Sequence, residues 1–289
     1  MPAAALSPTA NRTQNTTRRS PKRNESSVPS TNYPYVNGKF VPETEAKISI
    51  FDRGFLHGDA AFETMRVYAG KVFLLDQHLA RLCDALAALQ IPAEPPIRSL
   101  IHELVARNAI GDGVVRLTVS RGQEQPTVIV TARSRNFDSQ PLRAVISTVR
   151  VHTQLAQYKT ANRLPYTLAK LEAEQAGVDE ALLLNETGHI AEFSASNIFV
   201  IKDSTLFTPP IKDGVLPGIT RAVVLELAKL LNLPACEESL LPGSLDSADE
   251  VFATNSLIEI APVTTWSRRS DLTTHMQVAY RKLVVSEKL

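Results

Sequence analysis

Cysteine is scarce in this chain: two stand in 289 residues, Cys83 and Cys236. They lie far apart, which excludes a disulfide framework and offers no metal-ligand spacing, so no metal is expected. That usage suits a reducing compartment, and a cytoplasmic protein is expected. An excess of one charge is missing too. Thirty-one Lys and Arg against thirty Asp and Glu leave a net charge of +1, which gives no field for nucleic acid or an anionic membrane. No apolar run approaches the length of a membrane span. The first thirty residues have no acid before Glu25, although they carry Arg12, Arg18, Arg19, Lys22 and Arg23 among Ser, Thr, Asn and Pro. They lack the apolar core of a secretory signal. Residues 1–30 cannot bury enough apolar surface to offset their ordering entropy and read as a disordered basic tail.

What is present is a globular composition, 44% apolar and 21% charged, long enough for two modest domains. Asn37-Gly38 and Ala69-Gly70 read as hairpin turns, and residues 47–50 as a strand. Asp76 reads as the N-cap of a helix with Leu79, Leu82, Leu86 and Leu89 on one face, and a second helix covers about 97–109. Strands are expected at 114–120, 127–132 and 142–149. The polar stretch 134–141, ending in Pro141, reads as a linker between a small domain at 31–133 and a large one at 142–289. In the second part, Pro165 opens a helix. Hairpins turn at residues 186–188 and at Asp203-Ser204, a helix follows Gly218-Ile219-Thr220, and a late strand covers 251–254. Strand pairs mixed with helices, without regular βαβ alternation, predict two α+β domains.

Two residues carry most of the chemistry. Lys159 offers an amine within Tyr158-Lys159-Thr160-Ala161-Asn162, and Glu192 a carboxylate within Ala191-Glu192-Phe193-Ser194. Such a pair suits pyridoxal phosphate: the amine forms a Schiff base with the cofactor aldehyde, and the carboxylate keeps the pyridine nitrogen protonated. A phosphate needs a cation and donors. Arg81 offers a two-pronged guanidinium, Leu216-Pro217-Gly218-Ile219-Thr220 offers free amides at a helix start, and Thr254-Asn255-Ser256 offers further donors. On the residues alone, Arg81 reads rather as an ordinary helix arginine, Leu216 to Thr220 rather as a plain turn and helix cap, and Thr254 to Ser256 as phosphate donors or a helix cap.

Several blocks appear in order: Asp52-Arg53-Gly54-Phe55-Leu56-His57-Gly58 with Phe62-Glu63-Thr64, His78-Leu79-Ala80-Arg81-Leu82, Lys159 with Asn162-Arg163-Leu164, Glu192 with Ser196-Asn197-Ile198-Phe199, Leu216 to Arg221, and Asn255 to Val263. Together they resemble the fold-type IV pyridoxal phosphate enzymes, from about residue 33 to 267. The resemblance implies that Lys159 carries the cofactor and moves the proton. It implies that Glu192 faces the ring nitrogen and that Leu216 packs on the ring. Arg81, Gly218, Ile219, Thr220, Asn255 and Ser256 then form the phosphate cup. It also implies a homodimer acting on a small-molecule amine, with the site between two α+β domains.

Within that family, Lys159 to Leu164, Phe62-Glu63-Thr64-Met65-Arg66 and Thr254-Asn255-Ser256 are similar to blocks of 4-amino-4-deoxychorismate lyases. Asp179 to Leu184 and Leu216 to Arg221 look equally like branched-chain aminotransferases. Arg121-Gly122 is not followed by the basic residue of D-amino acid aminotransferases. Phe193 departs from the small residue that usually follows the ring-facing carboxylate, which narrows the expected pocket. Thr64, Arg66 and Arg163 are candidates to hold substrate, as is His57. Arg66 and Arg163 serve equally well as salt-bridge partners.

Overall fold

A computed structural model describes residues 32–94, 98–137, 140–269 and 271–286. The basic tail lies outside them, as do residues 138 and 139 of the expected linker. The chain begins with β1 (Tyr35–Val36) and β2 (Lys39–Phe40), a short helix α1 (Arg53–His57), the long strand β3 (Ala60–Tyr68), β4 (Lys71–Val72), two helices α2 (Leu75–Ala88) and α3 (Arg98–Arg107), then β5 (Gly113–Ser120) and β6 (Thr127–Ser134). The strands form one antiparallel sheet in the order β2-β1-β6-β5-β3-β4. Both expected hairpin turns are present. Asn37 and Gly38 take φ of 45° and 95°, and Ala69 and Gly70 take 45° and 82°. A pair of positive φ values gives the turn a twist that matches the flanking strands. One face of the sheet buries Met65, Val67, Leu117 and Val130 against Leu82 and Leu86 of α2 and Ile101 and Leu104 of α3.

The rest runs β7 (Ala144–Val151), α4 (Thr153–Ala156), α5 (Leu164–Gln175), β8 (Glu180–Asn185), β9 (Ile190–Phe193), β10 (Asn197–Lys202), β11 (Thr205–Thr208), α6 (Ile219–Leu230), β12 (Ala235–Glu237), β13 (Glu250–Asn255), β14 (Glu259–Pro262) and α7 (Asp271–Ser286). It makes a five-stranded sheet, β12-β11-β10-β13-β14, and a three-stranded one, β7-β8-β9. Helices α6 and α7 cover the larger sheet, whose Phe199 and Phe252 rings stack 5.0 Å apart. Helix α5 lays Tyr166, Ala169 and Ala173 on the smaller one. The mixture of sheets and helices is α+β, as expected.

Two local expectations fail. Residues 47–50 form no strand; Ile48 and Ile50 are exposed, at 44% and 69%. Alternation supplies a face, but a strand also needs a partner edge. Nor is Asp76 an N-cap. Leu74 holds that position in the left-handed region, φ 53°, with no side-chain cap, and Asp76 sits in the first turn, paired with Arg98. Helix α7 was not anticipated, although Leu272, Met276 and Tyr280 follow helical spacing and pack into the core.

Candidate active site

Lys159 is placed by backbone pairing. Beyond β4 the outer edge of β3 is open, and residues 159–161 dock there. Phe62 N–H donates to the Lys159 carbonyl at 3.0 Å, Ala161 N–H donates to the Ala60 carbonyl at 2.7 Å, and Ala61 bridges Thr160. The pinned backbone points the amine into a cavity of about 320 Å³, with Nζ 4.8 Å from the centre of the Phe62 ring. Burial, reinforced by the Arg81 charge, lowers the Lys159 pKa to about 7. A lysine so placed is half deprotonated at neutral pH, as a nucleophile and a base require.

Glu192 reaches the same cavity from β9 and is buried. Its Oε2 accepts from Asn197 Nδ2 and from the Leu216 amide, both at 3.1 Å, while the Tyr166 hydroxyl bonds the same carboxyl group. Burial outweighs these donors and the nearby Arg163 charge, and raises the Glu192 pKa to about 7. Asn197 also donates to the Leu216 carbonyl at 3.0 Å. One buried amide thus fixes both the carboxylate and the loop that enters α6. Gly218 is required beside it, since a Cβ there would lie 1.9 Å from Asn197 Oδ1.

The anion end lies where three elements meet. Gly218 caps α6 without a side-chain bond, which leaves the first amides at Ile219 and Thr220 open. The Thr220 hydroxyl is engaged with Tyr280, so its amide is the available donor. Arg81, from α2, donates from Nη1 to the Pro217 carbonyl at 3.0 Å. Ser256 lines the cavity from the turn between β13 and β14. Asn255 holds that turn. Its Oδ1 accepts from the Leu257 and Ile258 amides at 2.8 and 2.9 Å, and its Nδ2 donates to the Ala195 carbonyl at 2.9 Å. The Thr254 hydroxyl is buried at the wall with no hydrogen-bond partner among the described residues.

Of the residues singled out from sequence, Lys159, Glu192, Arg81, Leu216, Gly218, Ile219, Thr220, Asn255, Ser256, Thr64 and Arg163 meet around this one cavity. Two do not. His57 ends α1 and lines a separate cavity with His152 and Tyr158. Arg66 lines another, its guanidinium carbon 3.3 Å from the centre of the Phe137 ring and its Nη1 2.6 Å from the Leu257 carbonyl. Alternation along β3 places Thr64 and Arg66 on one face, but the 255–258 turn stands between them. Phe193 is fully buried, with its side chain in the core beside Leu182 and Ile198 and one surface on the cavity.

Sequence reading missed Glu63, His78 and Arg116. Glu63 has no exposure and takes Arg81 Nε and Nη2 at 2.8 and 2.7 Å and His78 Nδ1 at 2.7 Å. An acid in the otherwise apolar run Ala60-Ala61-Phe62-Glu63 was its signal. Arg116 stands opposite Thr64 in the β3–β5 register and lies 4.0 Å from the centre of the Phe62 ring. Burial and the facing Arg163 lower its pKa. Among the described residues no carboxylate pairs with Arg116 or Arg163. Arg163 donates to the Ser194 carbonyl at 2.7 Å, stacks on Tyr166 and also donates to the Tyr166 hydroxyl.

An amine, a carboxylate across from it, and an anion cup with an orphan hydroxyl fit the three handles of pyridoxal 5'-phosphate: aldehyde, ring nitrogen and phosphate. The site is that of a pyridoxal phosphate enzyme. Comparison with known proteins agrees: the family described as amino-transferase class IV matches residues 60–266. The chain is 38% identical over 247 residues to a putative branched-chain-amino-acid aminotransferase of Methanocaldococcus jannaschii, covering 79% of this chain and 86% of that one. It is 34% identical over 273 residues to the aminodeoxychorismate lyase of Bacillus subtilis, covering 86% and 93%. The branched-chain aminotransferase of the thermophilic archaeon Thermoproteus uzoniensis, solved with norvaline, superposes with a TM-score of 0.83 at 28% identity, over 89% of this chain and 96% of that one. The chain belongs to the amino-transferase class IV family. It is an enzyme that depends on pyridoxal phosphate and acts on a small-molecule amine.

Proposed function

We propose that the enzyme is a lyase that converts 4-amino-4-deoxychorismate to 4-aminobenzoate and pyruvate. The supporting observation is the pair of arginines without carboxylate partners, Arg116 and Arg163, in the cavity that holds Lys159. Arg116 is exposed and Arg163 partly buried; their like charges repel there, and an incoming ligand with two carboxylates neutralises both. This substrate has two carboxylates and one amine. Bound pyridoxal phosphate supplies the electron sink. The neutral Lys159 amine takes the proton from the amine-bearing carbon. The ether bond then breaks with its electron pair leaving on the enolpyruvyl oxygen, the released enolate takes up a proton to become pyruvate, and the ring becomes aromatic. Glu192 would stand against the ring nitrogen and favour its protonated form. The 34% identity to the Bacillus subtilis lyase supports the same reading. Purified enzyme mixed with 4-amino-4-deoxychorismate and no keto acid should form 4-aminobenzoate and pyruvate in equal amounts. No product from enzyme that carries its cofactor overturns the assignment.

A second reading is an aminotransferase of branched-chain or D-amino acids. The Methanocaldococcus jannaschii relative favours it, and the same two arginines suit the carboxylates of 2-oxoglutarate. Product formation that requires a keto acid identifies this case. Assembly and compartment belong to the proposal as well. Exposed Ile50, Phe51, Phe55 and Leu56 around α1 suit a face covered by a second copy, and two free, exposed cysteines suit the cytoplasm. Among the described residues no helix is long and apolar enough to cross a membrane.

A further inference from the structure

Behind the anion cup lies a chain of hydrogen bonds that the reaction chemistry does not use. Glu63 of β3 is buried, yet its pKa falls to about 2. Burial alone would raise it, but the bonds from His78 and then Arg81 prevail. As a carboxylate it only accepts, so the proton shared with His78 sits on Nδ1. Burial lowers the His78 pKa and outweighs the pull of Glu63, with Arg81 and Lys159 adding to the fall. The imidazole is therefore neutral, and Nε2 carries a lone pair. Ser256 Oγ stands 3.5 Å from Nε2. In this state the serine hydrogen is drawn to Nε2 and its oxygen lone pairs face the cup. That orientation opposes an anion.

We propose that His78 and Ser256 form a proton-coupled latch on the cofactor phosphate, in which phosphate binding draws one proton from solvent onto His78 Nε2. Once protonated, Nε2 donates to Ser256 Oγ, and the serine O–H turns into the cup to donate to a phosphate oxygen. The charged groups facing His78 are Glu63 from β3, Arg81 one turn along α2, and Lys159 from the docked loop. Glu63 already holds Nδ1–H, so the ring does not rotate when it is charged. The inference holds for lyase and aminotransferase alike. His78 is a positioning residue: it acts through Ser256 and touches no reacting atom.

The test is proton uptake on binding of pyridoxamine 5'-phosphate, a probe that forms no covalent link with Lys159. Titration calorimetry in buffers of different ionisation enthalpy counts the protons. Between the free and bound pKa values of His78, the wild-type enzyme should take up close to one proton more than His78→Asn, which keeps a donor for Glu63 but has nothing at Nε2. Wild-type affinity should weaken about tenfold per pH unit across that window, beyond the change shared with the variant. Ser256→Ala, which leaves the Glu63–His78–Arg81 cluster whole, should lose the same extra proton. Equal uptake by wild type and both variants overturns the proposal. Extra uptake retained by Ser256→Ala also overturns it, since the phosphate would then reach His78 without the latch.

Discussion

Glu63 meets the Arg81 guanidinium along one edge, with Nε to Oε1 at 2.8 Å and Nη2 to Oε2 at 2.7 Å. Only Nη1 is left on the cavity side, held by the Pro217 carbonyl. The carboxylate thus fixes the plane in which Arg81 presents its charge. Glu63→Gln should cost about 3–5 kcal/mol of stability, because it leaves a largely buried arginine unpaired. It should also weaken binding of pyridoxal phosphate, while binding of pyridoxal, which has no phosphate, stays unchanged. Equal loss for both ligands would detach Glu63 from the anion cup. The pH dependence has a defined sign. The folded pKa of about 2 lies below the ordinary 4.5, so this stabilisation is complete above about pH 4.5 and fades as pH falls towards 2. The melting-temperature gap between wild type and variant should shrink over that range.

Lys159 gives a second pH prediction. Only its neutral amine captures the cofactor aldehyde, and its pKa is about 7. The rate at which apo-enzyme takes up pyridoxal phosphate, followed by visible absorbance, should reach half its plateau near pH 7 and level off above. A rate still climbing at pH 9 means that the amine keeps its ordinary value near 10.5. Lys159→Ala should remove the absorbance and the turnover together.

Glu192 reaches that pH range from the other side by the same cause, since burial disfavours the charged form and raises its pKa to about 7. Glu192→Gln keeps the hydrogen-bonding shape and removes the charge that stabilises a protonated ring nitrogen. Cofactor affinity should change little and kcat should fall steeply. A variant with wild-type kcat removes Glu192 from the mechanism.

The parts of the site that were legible in sequence share a local signature. Lys159, Glu192 and the Leu216 to Thr220 turn each announce themselves through neighbours in the chain, and each lines the cavity. What escaped depends on register. Arg116 enters the cavity because it stands opposite Thr64 across β3 and β5, and a pairing between residues so far apart in the chain is not written in either strand. Arg66 shows the converse: its alternation with Thr64 was readable, but the turn that screens it from Lys159 arrives from residue 257. The hairpins at Asn37-Gly38 and Ala69-Gly70 were legible because turn chemistry is local. The absence of a strand at 47–50 was not, because pairing is a property of the partner.

Arg116 and Arg163 should separate cofactor binding from substrate binding. Arg116→Met keeps much of the apolar stem on Phe62 and deletes the charge. The loss of a charge-assisted bond to a substrate carboxylate is worth about 2 kcal/mol, or about thirtyfold in kcat/KM. Pyridoxal phosphate affinity should hold if Arg81, as proposed, is the cation for the phosphate. If Arg116→Met loses cofactor and leaves KM unchanged, Arg116 belongs to the cup and the dicarboxylate reading loses its support.

Gly218→Ala tests how closely the two ends of the cofactor site are joined. Backbone freedom is not the issue, since φ at Gly218 is −67°. The constraint is space: the new Cβ would fall 1.9 Å from Asn197 Oδ1. Asn197 is a short, buried side chain whose Nδ2 is committed to Glu192 at 3.1 Å and the Leu216 carbonyl at 3.0 Å, so it cannot swing aside without releasing both. Overpacking of this kind costs about 1–3 kcal/mol. The further consequence is functional, because the displaced amide frees the Glu192 carboxylate from one of its donors. The pH at which Glu192 titrates in the apo-enzyme should therefore rise above about 7, readable by difference infrared spectroscopy of the buried carboxyl against Glu192→Gln. A variant that melts earlier but leaves that titration in place would mean that Asn197 is packing alone and does not hold the carboxylate.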